Sequence, residues 1–132
     1  MPKVFISNIP SFLELEILHF NDVYNIEERV TDEPIKAGAA RFVTALDEYR
    51  SAEKLVLFSG DLFYPSNLSN FYKGKQMIKP FNRMNVDISC LGNHELDNGC
   101  ENAKQLIAET KCPWIMSNFL EIDQECQPIL GL

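Results

Sequence analysis

AGAARFVTALDEYR, residues 37–50, decides the fold. Its apolar side chains Phe42, Ala45, Leu46 and Tyr49 recur at i, i+3, i+4 and i+7, the spacing of one face of an α-helix. Immediately outside it lie two short apolar runs rich in β-formers, LEILHF (15–20) and KLVLFS (54–59), which read as strands. A strand, a helix and a strand in succession predict a right-handed crossover and parallel pairing. The pattern repeats downstream, where VDISCLG (86–92) and PWIMSN (113–118) add two more strands. A helix about 71–84 carries Phe71, Met77, Ile78, Phe81 and Met84, but Pro80 removes an internal hydrogen bond and predicts a kink or a late start. A third helix, about 100–110, has Ala103, Leu106 and Ile107 on one side. The class is α/β with a mainly parallel sheet, free of internal repeats and low-complexity tracts.

A chain of 132 residues makes one domain able to bury roughly two thirds of its unfolded surface. Hydrophobic residues at 45% and charged residues at 23% are ordinary globular usage, and no run approaches the ~20 apolar residues of a membrane span. A net charge of −7 argues against binding nucleic acid, which needs clustered Lys and Arg, and leaves room for cations. The first twenty residues hold one Lys, two prolines and acidic Glu14 and Glu16, unlike a secretory signal. A cytoplasmic address is therefore expected, with no membrane partner. Cys90, Cys100, Cys112 and Cys126 form no C-x-x-C pair, so they are expected to be small buried thiols without a role. No G-x-x-x-x-G-K-[ST] loop occurs.

Ligands of a parallel sheet gather beyond the carboxyl ends of its strands. Those ends carry Asn21, Asp22 and Tyr24; then Gly60, Asp61 and Tyr64; then Gly92, Asn93, His94, Glu95 and Asp97; then Ser117 and Asn118. Asp22 and Asp61 fall at equivalent places on successive strands, so their carboxylates should meet across one crevice. Each alone reads equally well as a turn cap. With the Asn93 amide oxygen at the third strand end, a cation between them is the better explanation. Gly60 and Gly92 precede these polar residues and allow sharp turns and close approach.

HFNDVYNIEE, SGDLFYPS and LGNHELDNG resemble successive N-terminal blocks of the calcineurin-like metallophosphoesterases, above all their 5′-nucleotidase branch, over roughly residues 14–120. The resemblance implies the first half of a four-layer α/β/β/α sandwich and a hydrolase that releases phosphate from a nucleotide or similar monoester, as in nucleotide catabolism. It implies two divalent ions, with Zn, Mn, Mg and Fe undistinguished. Asp61 matches the carboxylate that bridges them, Asp22 a ligand of the first and Asn93 a ligand of the second. His94 matches the histidine that contacts the phosphate, and Asp97 the partner that orients it. Two such ions clamp a phosphoryl group and activate a water, and a held histidine supplies a proton or positive charge.

Two departures follow. Where the family has a second ligating histidine, two residues after Asp22, this sequence has Tyr24. Tyr64 follows Asp61 at the spacing of the iron-ligating tyrosine of purple acid phosphatases, although a packing role fits it better. No histidine follows His94, and His19 is expected to be structural. Residues 1–132 are thus expected to form a single, truncated metallophosphoesterase domain, a fragment or degenerate copy with at most one weakly bound ion. It should have little activity alone and self-associate through an uncovered sheet face. The rival reading is a non-catalytic binding or interaction module with a partial metal site.

Overall fold

A computed structural model describes residues 15–29, 37–50 and 54–116. Strand β1 spans Glu16–Phe20, β2 Lys54–Phe58, β3 Ile88–Cys90 and β4 Trp114–Ile115. They form one sheet in the order β1-β2-β3-β4 with every neighbouring pair parallel, as the alternation predicts. The expected strand at 86–92 is shorter than its apolar run, and Ser117 and Asn118 lie outside the described residues.

Helix α1 spans Ala39–Tyr49. It packs against α3, Ile78–Met84, and places Leu46 in the core with Phe42 and Val43 partly buried against it. Tyr49, assigned to that apolar face, is exposed. The single helix expected over 71–84 is instead two. Helix α2, Asn67–Tyr72, starts early because Ser66 and Ser69 cap it reciprocally. It stops where Lys73 turns left-handed, φ 49°. A 3₁₀ turn, Lys75–Met77, leads into α3, whose first turn holds Pro80, where a missing N–H costs no helical bond. The earlier start leaves Phe71 83% exposed rather than in the core. Helix α4, Cys100–Glu109, buries Ala103 and Leu106 as its periodicity requires.

Helices α1, α3 and α4 pack on one face of the sheet. Val56 and Phe58 of β2, with Leu18 and Phe20 of β1 and Trp114 of β4, meet Leu46, Ile78, Phe81, Met84 and Leu106 in one cluster. Phe58 is its hub: its ring lies 5.0 Å from Phe81 and 5.1 Å from Phe20, while Phe63 stacks on Trp114 at 5.9 Å. Each such ring contributes about 1.5–3 kcal/mol by burial, and about 0.5–1.5 kcal/mol more per aromatic pair. On the opposite face the alternate residues Ile17, Leu55, Ile88 and Ile115 are exposed.

One of the described cysteines differs from expectation, and Cys126 lies outside the described residues. Cys100 is disulfide-bonded, whereas Cys90 and Cys112 are free and half-buried. Burial pushes the Cys112 thiol above its usual range, which keeps it protonated. Among the described residues no helix is long and apolar enough to cross a membrane.

Candidate active site

The parallel ladder of β1 and β2 does not end with the strands. Ser59 N–H donates to Phe20 O, Asp22 N–H to Gly60 O at 3.2 Å and Val23 N–H to Asp61 O at 3.1 Å. This continuation carries Asp22 alongside Asp61, as their equivalent positions predict. Both adopt left-handed backbone, φ 57° and 64°, a conformation that costs a non-glycine residue about 1–3 kcal/mol and recurs at functional sites.

The β2 and β3 ends touch directly. A Cβ on Gly60 would lie 2.2 Å from Gly92 N, and one on Gly92 would lie 2.1 Å from Asp61 Oδ1. The two glycines therefore let one loop approach the other, rather than a ligand alone. Glu95 fastens the contact. Fully buried, its Oε2 accepts from Gly92 N–H at 2.6 Å and Asp61 N–H at 2.8 Å, while Oε1 accepts from Leu62 N–H at 2.5 Å. Burial raises the Glu95 carboxyl above its usual range, and these three donors offset only part of that rise. No role was read for Glu95 from the sequence, where its only local sign is an acidic residue beside the Asn93-His94 pair.

His94 N–H donates to Asp61 Oδ1 at 2.9 Å, so the turn that presents Asn93 and His94 is built on the Asp61 carboxylate. The exposed Asn93 leads into the 3₁₀ turn His94–Leu96. There His94 Nδ1 sits 2.8 Å from Asp97 Oδ2. The hydrogen bond to Asp97 is the main cause that raises the imidazole above its usual 6.5. It leaves Nε2 as the nitrogen available to an incoming oxygen.

Tyr24 joins this group and Tyr64 does not. The Tyr24 hydroxyl donates to Asp22 Oδ1 and lies 3.4 Å from Asp61 Oδ2, and its ring meets His94 edge-on at 5.8 Å. Burial, the bond to Asp22 and the two carboxylate charges push its phenol well above the ordinary 10, so it is a neutral donor. Tyr64 is buried and donates to Asn102 Oδ1 at 2.9 Å, toward α4, as a packing tyrosine does. His19 pairs with Ser59 at 2.5 Å, consistent with a structural place on β1.

The successive ends of this parallel sheet thus carry an aspartate, a Gly-Asp and a Gly-Asn-His-Glu, with the histidine backed by a carboxylate. The chain belongs to the calcineurin-like phosphoesterase family, whose sequence profile matches residues 15–129. It is 34% identical over 130 residues to human 5′-nucleotidase, covering 90% of this chain and 23% of that protein. To the venom 5′-nucleotidase of Naja atra it is 33% identical over 116 residues, covering 80% and 22%. Among solved structures, Haemophilus influenzae NAD nucleotidase superposes with a TM-score of 0.76 at 25% identity, covering 89% of this chain and 23% of that one. A 5′-nucleotidase precursor from Thermus thermophilus shares the fold with a TM-score of 0.68 at 24% identity, covering 87% and 24%. The chain thus spans about a quarter of the length of the curated relatives it matches.

Members of this family are metal-dependent. Among the described residues the donor set falls short of a two-ion centre. Among the described residues no group of three or more His, Cys, Asp or Glu is placed to hold an ion. Every carboxylate oxygen of the pair already faces a donor of the protein: Asp22 takes Tyr24 and the Asn21 amide, and Asp61 takes Tyr24 and His94 N–H.

Proposed function

We propose that this chain contributes the N-terminal part of the active site of a 5′-nucleotidase-type phosphoester hydrolase, with a nucleotide or similar phosphomonoester as substrate. The His94–Asp97 pair mounted on the Asp61 carboxylate carries the reading. Asp97 holds the imidazole and favours its protonated form, and Nε2 then donates a proton or a charge-assisted hydrogen bond to a phosphoryl or leaving oxygen. Asp22, Asp61 and Asn93 are the candidate metal ligands, Zn, Mn, Mg and Fe remaining open, and the chain is expected to hold one ion weakly rather than two. Ser117 and Asn118 have no part in the reading. The Cys100 disulfide and the venom relatives support an oxidising compartment in place of the cytoplasmic one first expected.

The second reading, a non-catalytic module with a partial site, is favoured by one observation, the closure of the carboxylate pair by Tyr24. Reconstitution separates the two. The 132-residue chain is combined with the downstream part of a complete 5′-nucleotidase, and phosphate release from nucleoside monophosphates is measured with added Mn²⁺. The combination is expected to turn over, with His94→Ala about a hundredfold slower. Turnover indifferent to His94→Ala refutes the hydrolytic reading.

A further inference from the structure

We propose that Tyr24 acts as a built-in competitor for a divalent cation: its hydroxyl ties Asp22 toward Asp61 and withholds the Asp22 carboxylate from metal. The inference rests on the phosphoesterase reading of the site and adds a specific restriction to it. Two facing carboxylates repel unless a proton donor or a cation lies between them. Here the donor is present. The Tyr24 hydroxyl bonds Asp22 Oδ1 and reaches within 3.4 Å of Asp61 Oδ2, so a neutral phenol meets the electrostatic demand that an ion would otherwise meet.

The remaining oxygens are also engaged, Asp22 Oδ2 by the Asn21 amide and Asp61 Oδ1 by His94 N–H. The phenol is held in place rather than swinging freely. Val23 N–H is fixed to Asp61 O, and the Tyr24 ring rests edge-on against His94 at 5.8 Å. An ion approaching Asp22 must therefore displace the Tyr24 hydroxyl and forfeit its hydrogen bond. A histidine at residue 24 would reverse the effect, because a neutral imidazole offers a lone pair to a cation where the phenol offers a proton.

Mn²⁺ binding to the 132-residue chain, to Tyr24→Phe and to Tyr24→His, followed by calorimetry and by electron paramagnetic resonance, tests this. Tyr24→Phe deletes only the hydroxyl and is expected to bind Mn²⁺ roughly tenfold tighter, the effect of losing one competing hydrogen bond. Tyr24→His is expected to bind tighter still. Unchanged affinity in Tyr24→Phe, or no binding by any of the three chains, overturns the proposal; weaker binding does so too and makes the phenol a ligand. If Tyr24→His does not fold, Tyr24→Phe decides alone. The readout is ion binding, so its failure is distinct from a failure of the reconstituted site to hydrolyse a phosphoester.

Discussion

His94 carries the most easily measured property of the site. Its Nδ1 faces Asp97 Oδ2 at 2.8 Å, and that hydrogen bond is the first cause of its raised pKa, with further support from the charges of Asp97, Asp61 and Glu95. The raised value means that folding favours the imidazolium. The associated stability is fully present below the unfolded value of about 6.5 and disappears as pH rises through the folded midpoint. The chain has only two histidines, so His94 is readily followed by its ring proton resonance across pH. The midpoint is expected above 6.5, and Asp97→Asn, which keeps a hydrogen-bond acceptor but removes the charge, is expected to lower it. A native midpoint at or below 6.5, or one indifferent to Asp97→Asn, contradicts the pairing.

At the scale of elements, the site is a joint between the ends of β2 and β3, and Glu95 is its fastening. Glu95→Ala leaves the N–H groups of Asp61, Leu62 and Gly92 without their acceptor. Each buried unpaired donor costs about 1–3 kcal/mol, so a loss on the order of several kcal/mol is expected in urea denaturation. The amides of those three residues should also exchange faster with solvent, and a loss under about 1 kcal/mol with unchanged exchange would remove Glu95 from the joint. This joint shows why sequence reading reached only part of the site. Periodicity disclosed α1 and the parallel order because those signals are local and repeat along the chain. Asp22, Asp61, His94 and Asp97 were legible because strand ends collect polar residues and because the blocks resemble a known family. Helix α2 was missed because it is only six residues long, its apolar Phe71 and Tyr72 are exposed while Ser69 is the buried residue, and its start depends on the Ser66–Ser69 cap. The burial of Glu95 and the bridging by Tyr24 were illegible for a different reason: each depends on residues more than thirty positions away, and neither exists until two strand ends meet.

For the whole molecule, the strand order sets the surface. With β1 to β4 adjacent in sequence order and α1, α3 and α4 sharing one core, a single face of the sheet receives these three helices. The pleat then turns every second strand residue outward. Ile17 pairs in register with Leu55, and Leu57 with Ile88, which joins the outward side chains into a band across β1, β2 and β3. Ile17 is 51% exposed, Leu55 38% and Ile88 36%, and Ile115 at 53% extends the band to β4. Parallel sheets are ordinarily covered on both faces, and large contiguous apolar patches drive association. The 132-residue chain in solution is therefore expected to be a dimer or larger by light scattering and to bind a hydrophobic dye. Leu55→Lys places a charge in the middle of the band while Val56 and Phe58, which face the helices, are untouched. It is expected to return the chain toward a monomer and to lower dye binding without loss of helical circular dichroism. A monodisperse, dye-silent native chain shows instead that this face is satisfied within one copy, and the exposed isoleucines then carry no drive to associate.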